Sequence, residues 1–190
     1  MKVDRKELIL EAARTSFAMN GYKGTTMETV AKIAKVGKGT IYTFFTTKEE
    51  LLISILQKRI IDMKAIADEA FESNGSFIER AHKALYGVLD LRRWHKILAT
   101  LISEAREHRN PELVTIIDRV DSAVISYIQV KLEMMMEQGL IKTCNTEFIA
   151  FMLYRLYTNI LFEWEKDHPA FTEKEIANMV ELLFEKGLSK

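Results

Sequence analysis

The chain has 190 residues, of which 48% are hydrophobic and 28% charged, a composition typical of a globular protein with a full core. Its single cysteine, Cys144, excludes a disulfide framework within the chain and fits a reducing cytoplasm. The polar start from Lys2 to Glu7 is unlike a signal peptide. The longest apolar stretch, Phe148–Trp164, is too short and too polar to span a bilayer, so we expect no membrane partner.

The formal charge is zero over the whole chain, but it is unevenly distributed. Residues 1–48 hold nine basic and four acidic side chains, whereas the remaining residues hold 18 basic and 23 acidic ones. A basic start on an acidic remainder favours a nucleic-acid partner for the first fifty residues. An imbalance of this size also arises by chance, so charge alone does not decide the function.

Apolar residues recur with a period of 3.6 along most of the chain, and only two prolines interrupt it, which predicts an all-α fold of about nine helices. The first helix is expected over Arg5–Asn20, ended by Gly21. Thr25 or Thr26 then caps a second helix. The predicted ranges of the second and third helices are Met27–Lys35 and Lys38–Phe45.

Two short helices joined by a tight turn form the unit that enters a DNA major groove. Here the second helix carries a small residue, Ala31, where the two helices must approach closely, and Val36 anchors the turn. Ile41, Phe44 and Phe45 are expected to face inward, and Ile41 and Phe44 are spaced to hold the third helix against the core. Its outward residues would then be free to contact DNA: Lys38, Thr40, Tyr42 and Thr43.

The run from Thr25 to Phe45, followed by Lys48-Glu49-Glu50-Leu51-Leu52, resembles the DNA-binding domain of the tetracycline-repressor (TetR) family. The resemblance implies an N-terminal three-helix DNA-binding domain over residues 1–47 and a helical effector-binding and dimerisation domain over residues 48–190. It also implies that Lys38, Thr40, Tyr42 and Thr43 lie against the groove. Thr26 and Lys48, at helix starts, would hold phosphates. The alternative for Tyr42 is a partly buried core residue. The alternative for Lys48 is plain solvent exposure.

Two positions depart from the family pattern. Lys35 stands where the family more often has glycine in the turn, and a left-handed lysine costs about 1 kcal/mol relative to glycine. Gly37 stands where serine often caps the recognition helix, and glycine is a weaker cap by a few tenths of a kcal/mol. Both changes could alter how the recognition helix sits.

A fourth helix over about residues 48–72 would connect the two domains, capped by Thr46 or Thr47. Glu50 lies three residues after Thr47, as a capping box requires. Ser73-Asn74-Gly75-Ser76 ends it. Thr172 and Glu175 make another capping box. The further helices are predicted over Phe77–Arg92, Trp94–His108, Pro111–Gln138, Thr146–Asp167 and Thr172–Gly187.

The last two predicted helices are apolar nearly all round, which is more apolar surface than a small monomer covers. A symmetric homodimer through a four-helix bundle would bury it and would place two recognition helices on a two-fold operator. The alternative is that this surface covers the chain's own core.

By the resemblance, a small apolar or amphipathic effector binds the second domain and releases double-stranded operator DNA. Large residues often line apolar pockets, although aromatic and methionine stripes are more often core. The candidate ligand residues are Trp94, Tyr127, Met134, Phe151, Tyr154 and Tyr157. A regulator with no small-molecule effector is equally compatible with the sequence.

An enzyme is the remaining alternative. Glu79-x-x-His82 and Glu165-x-x-His168 have the spacing of di-iron carboxylate bundles, but His168 directly precedes Pro169 at a helix end. Glu104 and His108 share a helix face and could bind one metal ion, although a solvated face is the simpler interpretation. No phosphate loop or nucleophile motif is present. We expect no catalytic residue, no cofactor and no metal.

Overall fold

The computed structural model of the chain describes the backbone at residues 4–75, 77–89, 92–108, 110–164, 167–172, 174–176, 178, 179 and 182. Side chains at 77, 78, 82, 85, 86, 89, 92–96, 106–108 and 161 lie outside that description. As predicted, the fold is all-α across the described residues. The α-helices are α1 Arg5–Gly24, α2 Met27–Ile33, α3 Lys38–Tyr42, α4 Lys48–Glu72, α5 Phe77–Leu89, α6 Arg92–His108, α7 Pro111–Glu137 and α8 Thr146–Asn159. A π-helical segment, Ile160–Trp164, follows α8.

The chain divides into two compact units. The head unit comprises Met1–Arg59 and Arg93–Asp118, and the body unit comprises Ile60–Arg92 and Arg119–Lys190. The helices α4 and α7 therefore contribute residues to both units, and almost all of α6 belongs to the head unit. The functional boundary between residues 47 and 48 stays a prediction, because compactness alone does not show which residues bind DNA or ligand.

A glycine breaks the regular course of α1 before its last turn. Gly21 has a φ of 66°, in the left-handed region, so the helical course is broken there although helical turns continue to Gly24. Thr25 is fully buried, and its hydroxyl donates to the Gly21 carbonyl at 2.7 Å. Thr26 is the residue that caps α2, since its hydroxyl accepts from the Thr29 N–H at 3.1 Å.

The core of the head unit holds α3 by two side chains that the sequence predicted to face inward. Ile41 and Phe45 are buried, as expected. The prediction that Phe44 also faces inward is wrong, because Phe44 is 37% exposed. The Phe45 N–H bonds to the Ile41 carbonyl at 3.0 Å, so the residue four positions after Ile41 shares its face. Leu8 of α1 is exposed as well and lines a surface groove with Phe44.

The turn between α2 and α3 is closed by two hydrogen bonds characteristic of a Schellman motif: the Lys35 N–H to the Lys32 carbonyl and the Val36 N–H to the Ala31 carbonyl. Lys35 occupies the left-handed position of this motif, with a φ of 54°. The lysine is thus strained in the way that the sequence indicated, and the turn keeps its geometry despite the missing glycine.

The body unit confirms one predicted cap and shortens one predicted helix. The Thr172 hydroxyl accepts from the Glu175 N–H at 3.2 Å, and the Glu175 carboxylate accepts from the Thr172 N–H at 2.7 Å. The helix predicted over Thr146–Asp167 is α-helical only to Asn159 and then widens into the π segment. Much of the helix predicted after Thr172 lies outside the described residues.

Replacing Lys35 with glycine should stabilise the chain, because glycine adopts a positive φ without the steric cost of a Cβ. We expect the free energy of unfolding to rise by about 0.5–1 kcal/mol, measured by thermal or urea denaturation. Lys32→Gly is the matched control: Lys32 lies inside α2, and glycine there should cost about 1 kcal/mol. A Lys35→Gly variant no more stable than the parent would contradict the strain.

Candidate nucleic-acid interface

The outward face of α3 is polar and accessible. Ile41 is fully buried, whereas Lys38, Tyr42 and Thr43 are exposed and Thr40 is half-buried. Tyr42 keeps 45% of its surface exposed, which is inconsistent with the alternative of a core tyrosine. The helix α3 has only five residues, about one and a half turns. Its few outward residues therefore lie side by side as one compact surface.

The ends of α3 are closed by the chain's own backbone and hydroxyls. Gly37 is the N-cap residue and supplies no side-chain hydrogen bond, as the sequence predicted. At the other end the Thr43 hydroxyl donates to the Thr40 carbonyl at 2.7 Å. This bond uses the donor of the Thr43 hydroxyl and leaves its methyl group and acceptor lone pairs open to a partner.

Thr26 lies at the start of α2 with its side chain exposed. Its hydroxyl caps the helix and also lies 2.8 Å from the Thr29 hydroxyl. This arrangement fixes the first turn of α2 and leaves Thr26 accessible, which is compatible with the predicted phosphate contact.

Lys48, predicted to hold a phosphate, is bound to the end of α1. Its ammonium donates to the Tyr22 carbonyl at 2.8 Å and to the Thr25 carbonyl at 3.3 Å. The same nitrogen lies 4.3 Å from the centre of the Tyr22 ring, within cation–π range. Lys48 thus braces the segment that joins α1 to α2, and a phosphate contact by its remaining N–H stays a prediction.

Glu104 is an important residue that sequence reasoning missed. Its two carboxylate oxygens accept from the backbone N–H groups of Tyr22 and Lys23, each at 2.6 Å. Glu104 therefore holds two backbone N–H groups and does not form a simple solvated face, while the side chain of His108 lies outside the described residues, so the metal-ion hypothesis for this pair is not tested. No local signal identifies this role, since the partners lie more than 80 positions away along the chain.

Tyr22 connects the same segment to the start of α7. Its ring is buried and stacks on Phe17, and its hydroxyl donates to Glu112 at 2.9 Å. Burial, followed by the hydrogen bond to the Glu112 carboxylate, raises the pKa of the Tyr22 hydroxyl. The hydroxyl therefore stays protonated and remains a donor throughout the physiological range.

The start of α4 confirms one half of the predicted capping box. The Thr47 hydroxyl accepts from the Glu50 N–H at 3.1 Å, as a capping box requires. Glu50, however, reaches back to the N–H and hydroxyl of Thr46, at 2.8 and 2.7 Å. These two hydrogen bonds, the backbone one first, lower the pKa of Glu50.

The tyrosines proposed as ligand residues make separate hydrogen bonds in the body unit. The Tyr127 hydroxyl donates to Asp68 at 2.6 Å, and the Tyr154 hydroxyl donates to Asp121 at 2.5 Å. Burial, then the bond to its carboxylate, raises the pKa of each tyrosine. Tyr157 is half-buried against Ile160.

The other ligand candidates are more open. Met134 and Phe151 are 44% and 42% exposed, and the side chain of Trp94 lies outside the described residues. Phe151 lines a surface groove of about 550 Å³ with Phe148 of α8 and residues of α7. The six candidates are thus not shown to share a pocket, and a ligand site stays a prediction.

Metal ligation finds no support in the described part of the chain, where no group of three or more His, Cys, Asp or Glu side chains could hold an ion. The His168 ring stacks on Trp164 at 3.8 Å, while Glu165 and the side chain of His82 lie outside the description. No helix among the described residues is long and apolar enough to cross a bilayer.

Comparison with known proteins adds four findings. The family model for bacterial regulatory proteins of the tetR family matches residues 9–55. The HTH-type transcriptional regulator YhgD of Bacillus subtilis is 44% identical over 189 residues, which cover 100% of this chain and 99% of YhgD. The structure of the fatty acid degradation regulator FadR from Bacillus halodurans aligns with a TM-score of 0.80 at 22% identity, covering 98% of this chain and 97% of FadR.

The structure of FadR from Bacillus subtilis in complex with stearoyl-CoA aligns with a TM-score of 0.77 at 22% identity, covering 93% of this chain and 96% of that FadR. At such identities the two FadR alignments show a shared fold, whereas YhgD is similar over its whole length.

Glu104→Gln should loosen the junction between α1 and α2. A glutamine amide offers one acceptor oxygen, so one of the two N–H groups of Tyr22 and Lys23 would face a donor instead. We expect a loss of about 1–3 kcal/mol in the free energy of unfolding, measured by urea denaturation. Glu69→Gln, at an exposed position of α4, is the control and should change stability little. Equal stabilities for the two variants would contradict the role of Glu104.

Proposed function

The chain belongs to the TetR family of HTH-type transcriptional regulators, and from that premise we propose that it is a repressor that binds a palindromic operator as a homodimer and leaves it when a small apolar or amphipathic ligand binds. The observation that carries the DNA-binding part is the outward face of α3. Its exposed lysine, tyrosine and threonine are held on a helix that Ile41 and Phe45 fix from beneath. Operator binding requires access to the chromosome, so the proposed function is a cytoplasmic one.

The proposed DNA contacts divide into two kinds. Tyr42 and Thr40 on α3, with Thr43 at its C-cap, would face base edges in the major groove. Thr43 would do so through its methyl group and its acceptor lone pairs. Lys38, together with Thr26 on α2, would contact phosphates and fix the register of the helix. The excess of basic residues before position 48 supports an anionic partner for this part of the chain.

A homodimer is proposed because α8 has an exposed apolar face. Phe148, Phe151 and Met152 lie at positions i, i+3 and i+4 of this helix, and they are 57%, 42% and 49% exposed. Large apolar side chains clustered on one face mark an interaction surface more often than an isolated one does. A second copy of the chain would bury this face and present a second α3 to the other half of a palindrome.

A ligand is proposed to act by favouring a conformation whose recognition helices are wrongly placed for the operator. DNA occupancy would then fall in proportion to the ligand's affinities for the two conformations. The helices α4 and α7 contain residues of both units, which supports communication between a body site and the head. Stearoyl-CoA, held by the similar Bacillus subtilis FadR, is a reasonable first compound to test. A regulator with no small-molecule effector is the alternative.

Recovery of genomic DNA fragments by the purified full-length protein tests this function directly. The proposal predicts enrichment of one or a few palindromic sites, and the position of a site relative to its promoter gives the sign of regulation. Mobility shifts on the recovered duplex, with and without stearoyl-CoA and other compound classes, then separate a ligand-responsive regulator from its alternative. Recovery of no fragment above background would contradict DNA binding.

Lys38→Ala should weaken binding to the recovered duplex and also reduce its dependence on salt. Losing one phosphate contact makes the slope of log K against log salt shallower by about 0.9 for each bound protomer. Fluorescence anisotropy at several salt concentrations measures both quantities. Lys142→Ala is the control, because Lys142 is exposed in the body unit. An unchanged slope for Lys38→Ala would show that Lys38 does not contact a phosphate.

Phe148→Asp should weaken the proposed dimer at least about tenfold, because an unpaired carboxylate would be buried where an aromatic ring was. Sedimentation velocity across a dilution series measures the dissociation constant. Ile61→Asp provides the control, since Ile61 is 65% exposed on α4. A monomeric parent protein, or the same effect from both substitutions, would count against the α8 face as the interface.

A further inference from the structure

Gly39 lies inside α3 at a position where the chain itself does not require glycine. A Cβ built on Gly39 meets no heavy atom of the described chain within 4 Å, and Gly39 is not among the residues with positive φ. Gly21 is different, because its φ is positive and a Cβ there would lie 2.5 Å from Glu104 Oε2. Glycine at 21 is explained by the fold, whereas glycine at 39 is not.

Glycine at position 39 also weakens the helix that contains it. Inside a helix glycine is less favourable than alanine, since it loses more backbone freedom on folding. α3 has only five residues, and its N-cap, Gly37, makes no side-chain hydrogen bond that would offset this loss. No contact in the described part of the chain therefore accounts for glycine at this position.

Gly39 belongs to the face of α3 that points outward. Tyr42 and Thr43 follow it by three and four positions, so they share its face, and both are exposed. The missing side chain leaves a notch in this face, since a Cβ at Gly39 would stand in open space. The main chain of α3 is therefore open to a partner at this position.

We propose that Gly39 is the point where DNA approaches α3 most closely, with a base edge or the sugar–phosphate backbone of the major groove against the bare main chain. The inference rests on the proposed DNA-binding function and adds the residue that sets the depth of insertion. Glycine is the residue that permits such close approach of backbone to a ligand. A methyl group at this position would push the helix outward and lengthen the hydrogen bonds of its neighbours Lys38 and Tyr42 to DNA.

The test uses the full-length protein and the duplex that the parent protein recovers from genomic fragments. Gly39→Ala should weaken binding by about tenfold and Gly39→Leu by about a hundredfold or more, measured by fluorescence anisotropy. Alanine and leucine favour helix, so the melting temperature of each variant should be equal to the parent's or higher by about 1–4 °C. Thr15→Leu, at an exposed position of α1, controls for added apolar bulk and should bind like the parent.

The outcomes separate this inference from the proposed function. If the parent recovers no duplex, the proposed function fails and the inference with it. If the parent binds and Gly39→Ala binds equally well, only the inference is overturned. A melting temperature several degrees lower for Gly39→Ala would overturn it too, because the fold would then need the glycine.

A scrambled duplex distinguishes the two DNA surfaces that could occupy the notch. If Gly39→Ala loses affinity for the recovered duplex alone, the result supports a base edge at Gly39. A comparable loss of affinity for both duplexes supports the sugar–phosphate backbone, because that contact carries no sequence information.

Discussion

The geometry of the head unit depends on one carboxylate that two backbone amides share. Glu104 accepts from the N–H groups of Tyr22 and Lys23 just after Gly21 breaks the course of α1, where those donors have left the regular helix. Tyr22 then donates to Glu112, and Lys48 donates to the carbonyl of Tyr22. Charge-assisted hydrogen bonds are stronger than neutral ones, and here they fix the direction in which the chain enters α2 and hence the position of α3.

This junction joins sequence-distant elements within one compact unit. Glu104 comes from α6 and Glu112 from α7, whereas the segment they hold connects two helices of the proposed DNA-binding domain. A displacement of α6 would therefore act first on Tyr22 and Lys23. Under the proposed function, this gives an effector a physical route to the recognition helix: it needs to favour a state in which the Glu104 hydrogen bonds are lost or altered.

Local patterns predicted much of the fold, because helix caps, helix ends and apolar periodicity depend on residues that are close together in the sequence. The sequence located α4 to the residue, the break at Gly21 and the Thr172–Glu175 box. The prediction for Phe45 is confirmed and that for Phe44 failed, because both satisfy helical spacing from Ile41 and only packing decides which of them is buried. Glu104 was missed since its partners lie far away in the chain, and no local pattern shows which helix face will meet them.

The orientation of α3 toward DNA is tested most directly by site-specific photocrosslinking. A photoreactive phenylalanine analogue at Tyr42, which is exposed on α3, should link to the recovered duplex on irradiation, whereas the same analogue at Phe148 on α8 should not. The account predicts a covalent protein–DNA product from position 42 alone. Crosslinking to DNA from position 148 with none from position 42 would contradict it.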